Sequence, residues 1–230
     1  MKPPYGSEAV GAVTMALARI SVAKTLLAKD RDQEALALLR ETRGTLLTAL
    51  GPLSFQVGLI DYEMANIVRQ DDNGETTRLL REAHAAFAAS LGTEHGYTRT
   101  IGLNLAIGEI SNGDVAAGLK ALESLLPWYK ERAGSTDAVD LTRAEALNKL
   151  GRYAEALKVL DGLDVEKAVW GLRDVKGQKW SVQGERGLAL IGLGQIRQGR
   201  QLLQEAVSNM QDEGTPSSFV ERYGMALRKR

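Results

Sequence analysis

The stretch Leu147-Asn148-Lys149-Leu150-Gly151-Arg152-Tyr153-Ala154-Glu155-Ala156-Leu157, with Leu160 one turn after Ala156, decides how this chain folds. A glycine stops one helical segment, an aromatic follows two residues later, and a small residue then precedes a leucine by one turn. Antiparallel helices approach closely only where a side chain is small, and a leucine one turn on fills the adjoining groove. The same step recurs as Ala35 to Leu39, Thr76 to Leu80, Gly118 to Leu122 and Gly199 to Leu203. Successive leucines of the series lie 41, 42, 38 and 43 residues apart. A near-constant period of this length signals stacked helical hairpins. Stacked hairpins offer an extended surface rather than a buried catalytic pocket.

Outward from that phrase the chain divides into five predicted units of two helices, at about 8–51, 52–92, 93–134, 135–163 and 179–214. Residues 1–7 read as a linker. A helix signal begins after Ser7, a plausible cap, and apolar Val13, Leu17, Ile20 and Leu27 recur at helical spacing before Asp30-Arg31-Asp32 breaks the pattern. Leu50-Gly51-Pro52 and Leu91-Gly92 are helix stops, and Gly134 holds the matching place in the third unit. Gln70 to Gly74 forms a polar turn. Pro127 falls inside a second helix and is expected to kink or divide it. Residues 163–178 are the least regular stretch. Thr215 and Pro216 can open a last helix over 216–230, which would cap the fifth unit. With no convincing period-two run, the single domain at 8–230 reads as all-α.

Composition narrows the function classes. Of 230 residues, 44% are hydrophobic, 25% charged and only 5% aromatic, a mix that suits helices packed by aliphatic side chains. The 29 basic and 29 acidic residues cancel, which argues against direct nucleic-acid binding. The absence of cysteine excludes disulfides and thiolate metal sites. No uninterrupted apolar run of membrane-spanning length stands out, so no membrane insertion is expected. The N-terminal residues lack a signal-peptide core.

The 147–157 phrase resembles a tetratricopeptide repeat (TPR), with Gly151, Tyr153 and Ala156 in the family's positions. Units one and two resemble the longer variant found in kinesin light chains and many bacterial regulators. Leu91-Gly92-Thr93-Glu94-His95 and, in part, Leu50-Gly51-Pro52 match its link, and Leu103-Asn104-Leu105-Ala106 matches its first-helix core. Departures are Asp30 and Asp32, where Gly and an aromatic are usual, and Thr76 at a helix crossing. The closing proline is missing. The resemblance implies a right-handed α-α superhelix of about five helix pairs with a C-terminal capping helix. It implies a non-catalytic scaffold without a cofactor that holds a protein or peptide in its concave groove. By the same resemblance Lys24, Tyr62, Asn66, Arg69, Asn104, Glu145, Asn148 and Lys149 turn into that groove. Asn and Arg there suit a peptide backbone or carboxylate. The alternative is a sensory or dimerisation domain, able to form a homodimer, cut from a bacterial transmembrane transcription regulator or serine/threonine kinase. That reading would place the domain in the periplasm rather than, by default, the cytoplasm.

Other constellations favour plain readings. His84, His95 and Glu94 lack metal-ligand spacing, which leaves His95 as a link residue. Asp71-Asp72-Asn73-Gly74 lacks the alternating ligands and closing Glu of a calcium loop and reads as a solvated turn. No G-x-S-x-G occurs, and no glycine loop follows a strand. Arg228-Lys229-Arg230 reads as a helix end whose charges favour the dipole. Trp128, Trp170 and Trp180 read as core filling, with Trp170 or Trp180 a binding hot spot if exposed beside the groove.

Overall fold

The computed structural model describes residues 7–68, 73–133, 136–163, 178–214 and 217–228. Among these the chain forms α1 (Ser7–Leu27), α2 (Asp32–Leu50), α3 (Phe55–Val68), α4 (Asn73–Leu91), α5 (Gly96–Ser111), α6 (Val115–Ala133), α7 (Asp137–Lys149), α8 (Tyr153–Asp161), α9 (Gln178–Gly192), α10 (Ile196–Asp212) and α11 (Ser217–Arg228), with no strand. The helices gather into two compact units, residues 1–114 and residues 115–230.

The recurring phrase is core in both units. Ala35, Leu39, Thr76, Leu80, Gly118, Leu122, Ala156, Leu160, Gly199 and Leu203 are all buried. Thr76, a departure from the family pattern, is 5% exposed and holds the crossing. In unit 1, α1 pairs with α2 and α3 with α4, while α2 packs on α3 and α4 on α5. Leu39, Leu46, Ile60, Leu79, Phe87 and Ile101 belong to one continuous cluster there. In unit 2, α7 pairs with α8 and α9 with α10, while α6 packs on α7, α8 on α9, and α11 on α10 and α9. Burying each apolar stripe only against neighbouring hairpins is how helical repeats reach stability.

The turns explain one departure. Between helices of a pair the chain passes through a left-handed residue, at Gly113 (φ +94), Gly151 (φ +73) and Gly194 (φ +83). The first pair uses Asp30 instead, at φ +56. Aspartate is among the few side chains that visit this region, so the turn survives without glycine.

Of the kink or division expected at Pro127, division does not occur: α6 runs from Val115 to Ala133 with the proline inside. One expectation is corrected. A helix of membrane-spanning length and apolarity is present: Val10–Leu27 has a mean hydropathy of 1.5 over 18 residues. Arg19 and Lys24 fall within it, so a search for an uninterrupted apolar run passes it over. Ala12, Ala16, Ile20 and Ala23 seat this helix in the unit 1 core, and Arg19 pairs with Glu41 at 2.9 Å. Gly134, the Gln70–Asp72 part of the predicted polar turn, the irregular residues 164–177 and the Thr215–Pro216 cap lie outside the described residues.

Candidate functional site

The site begins with helix phase. On α3 the residues Val57, Ile60, Asp61, Met64, Ala65 and Val68 face the core. Tyr62 and Asn66 therefore project from the opposite side, Tyr62 half-buried and Asn66 exposed. Two bridges show that the first helices of successive pairs lie side by side in unit 1. Lys24 Nζ of α1 reaches Glu63 Oε1 of α3 at 3.0 Å. Asn104 Nδ2 of α5 donates to Tyr62 Oη of α3 at 3.5 Å, a long bond. Lys24, Tyr62, Asn66 and Asn104 thus belong to adjoining helices. Arg69 lies outside the described residues.

The backs of these helices are stapled by charge. Asp61 is 1% exposed and pairs with Arg43 of α2, which also reaches Glu82 Oε2 of α4 at 2.6 Å. Burial pushes the Asp61 carboxyl above the usual range, against the hydrogen bond from Arg43. Sequence reading missed this pair, although Asp61 stands at a core register between Val57 and Met64.

Unit 2 treats its predicted residues differently. Glu145, Asn148 and Lys149 lie together on α7, but the chain itself occupies them. Lys149 Nζ pairs with Glu145 Oε1 at 3.1 Å. Arg222 of α11 reaches Glu145 Oε1 through Nη1 at 2.8 Å and Glu185 Oε1 of α9 through Nη2 at 2.9 Å. Asn148, 7% exposed, donates from Nδ2 to the Glu185 carbonyl and to Glu185 Oε2, both at 2.9 Å. The hydroxyl of Tyr223, itself fully buried, lies 2.9 Å from Glu185 Oε1 and 3.2 Å from the Ser181 carbonyl. Asn148 and Glu145 are therefore not free groove residues. The Asn148 amide nitrogen is held by α9, 37 residues on, and Glu145 by α11, and these contacts join elements far apart in the chain, beyond the reach of local pattern.

Comparison with solved structures bears directly on this architecture. Nearly identical TPR-like repeats from a Podosopora anserina protein described as a kinesin light chain superpose with a TM-score of 0.63 at 20% sequence identity, covering 86% of this chain and 96% of that one. A single-substitution variant of those repeats superposes with a TM-score of 0.64, again at 20% identity and over 86% of this chain and 95% of that one. The chain has a TPR-like repeat fold. No protein-family model matches the sequence, and no curated relative does.

Within the TPR-like fold the remaining candidates settle into structural roles. His95 caps α5, its Nδ1 accepting from the Tyr97 amide at 3.2 Å. Burial pushes the His84 imidazole below its usual value. Among the described residues no three His, Cys, Asp or Glu side chains converge as a metal site. Trp180 packs half-buried against Leu203, Met210 and Tyr223. Trp128 is half-buried and meets Tyr129 edge-on at 5.1 Å. Trp170 lies outside the described residues.

Glu185 gives a pH-dependent expectation. Complete burial pushes its carboxyl above the usual range, opposed first by the Arg222 charge and reinforced by nearby Glu145. A carboxyl whose folded-state pKa exceeds its unfolded value of about 4.3 binds more protons when folded. Its penalty is full at neutral pH and disappears as pH falls through the folded value. The stability of the native chain relative to Glu185→Gln is therefore expected to rise as pH is lowered from 7 towards 4.5, measured by urea unfolding at each pH.

Proposed function

We propose that this chain is a non-catalytic protein-binding scaffold that takes an extended peptide segment on the α1, α3 and α5 face of unit 1. One observation supports the reading above the others. Lys24, Tyr62, Asn66 and Asn104 stand on adjoining first helices, where Lys24 contacts Glu63, Asn104 contacts Tyr62 and Asn66 is exposed, whereas Glu145 and Asn148 of unit 2 are bound by α9 and α11. Amide side chains on a helical face can pair with the N–H and C=O of an extended backbone. The face is mixed in charge, with Lys24 and Glu63 side by side, which suits a peptide read by shape and hydrogen bonds rather than by bulk charge.

The test uses peptides selected from a random display library on the native chain. Substituting Asn66→Ala and Asn104→Ala together is expected to weaken those peptides about tenfold, the loss of two hydrogen bonds at about 0.7 kcal/mol each. Thermal unfolding should remain at the native midpoint, since Asn66 is exposed and Asn104 is not in the core. Selected peptides that bind the double variant as tightly as the native chain would remove this face as the site.

A further inference from the structure

We propose that the cavity between α6 and α7 binds a small organic acid, a single carboxylate carried on an aliphatic or aryl body. The cavity lies wholly within unit 2, and the proposal does not rest on the unit 1 reading.

Helix phase builds the site. Leu126 and Lys130 stand one turn apart on α6 with Pro127 beside them, and Thr136, Asp140 and Arg143 follow one another at successive turns where α7 begins. These six residues line a cavity of about 410 Å³, the size of a small-molecule site. Leu126 and Pro127 supply its apolar wall. A pyrrolidine ring is closed on its own backbone, so it cannot swing into the space, and the wall keeps its shape without an occupant. The proline inside α6 thereby gains a role that the repeated phrase does not require.

Charge decides what fits. Of the six, the one acid is already engaged: Asp140 Oδ2 accepts from the Thr136 hydroxyl at 2.6 Å, and Oδ1 accepts from Arg143 Nη1 at 2.9 Å. The cations are not used up. Lys130 is exposed and makes no hydrogen bond or ion pair among the described residues. Arg143 gives Nη1 to Asp140 and holds Nε 4.0 Å from Glu123 Oε1, beyond hydrogen-bond reach, which leaves Nη2 without a hydrogen-bond partner among the described residues. Glu123 lies outside the lining and faces Arg152 as well. Two cations against one acid give the lining an excess positive charge, and Thr136, at the N-terminal end of α7, marks the positive end of that helix dipole. A carboxylate restores the balance and offers two oxygens to the two spare donors. A neutral apolar molecule would leave both donors unpaired, and a cation would be repelled.

The test titrates the isotopically labelled full chain with 4-phenylbutyrate and follows the Leu126 methyl and Thr136 amide signals. Both are expected to shift saturably, with half-saturation near about 1 mM for a ligand of this size. The uncharged 4-phenylbutan-1-ol and the Lys130→Glu chain with 4-phenylbutyrate are each expected to bind at least about tenfold more weakly. Lys130 is exposed, so that variant keeps the fold. Lys120→Glu makes the same charge change elsewhere on α6 and is expected to bind as the native chain does, as is Asn66→Ala with Asn104→Ala. Failure of the two signals to saturate overturns the site. Equal binding of the alcohol, or equal weakening by Lys130→Glu and Lys120→Glu, overturns the carboxylate as its ligand.

Discussion

Gly199→Ala is expected to destabilise unit 2 by about 3 kcal/mol, the upper end for overpacking a filled interior. The added Cβ would stand 2.6 Å from the Gly187 carbonyl oxygen and 2.9 Å from the Ile191 amide nitrogen. On the facing helix, a Cβ at Gly187 would stand 2.8 Å from the Gly199 carbonyl oxygen. These are backbone atoms, so no rotamer change relieves the clash and α9 must part from α10. The same chemical change at Gly44, exposed on α2 with no atom within 4 Å of the added Cβ, is expected to stabilise by about 0.5–1 kcal/mol through helix propensity. Urea unfolding followed by circular dichroism reads both. Equal and small effects at the two glycines would mean that α9 and α10 do not cross where the repeated phrase places them.

Arg222→Ala is expected to have the largest effect of any single polar substitution in unit 2. Removing the cation leaves the buried Glu185 carboxylate beside Glu145, and stripping one partner from a buried pair costs about 3–5 kcal/mol. Much of that loss falls on the docking of α11, because Arg222 joins it to both α7 and α9. Amide hydrogen exchange should therefore accelerate across α11 before it does in α10. Adding Glu185→Gln to Arg222→Ala should restore part of the loss, since the neutral amide no longer needs the cation. A wild-type exchange pattern in Arg222→Ala would show that Tyr223 and the apolar contacts hold the helix alone.

The fold was legible because its determinant is local and repeated. A small residue and a leucine one turn apart, at five places with a common period, leave a helical hairpin as the arrangement that buries both. Asp30 was read as a departure, yet its left-handed backbone shows that the turn requires a conformation rather than glycine itself. Pro127 was read as a kink or a division, and α6 continues through it. Exposure of the candidate residues was legible in unit 1, where helix phase alone places Tyr62 and Asn66 away from the core. In unit 2 phase correctly put Glu145, Asn148 and Lys149 together. It could not show that a terminal helix outside the repeat would lower an arginine onto them. A signal for the buried acids was present. Asp61 and Glu185 sit at apolar registers, with Val57 and Met64 around one and Val182 and Ala189 around the other. A carboxylate at such a register needs a cation from a neighbouring element, and that need points to Arg43 and Arg222.

The central claim is that small residues bring successive helices into backbone contact at the repeated crossing. The most direct test is a nuclear Overhauser measurement on isotopically labelled full chain between the Hα protons of Gly187 and Gly199. The structure requires a cross-peak between them, with a second between Gly184 Hα and the Tyr223 ring. A well-resolved spectrum lacking both, with Gly187 and Gly199 each showing contacts to other helices, would contradict the account.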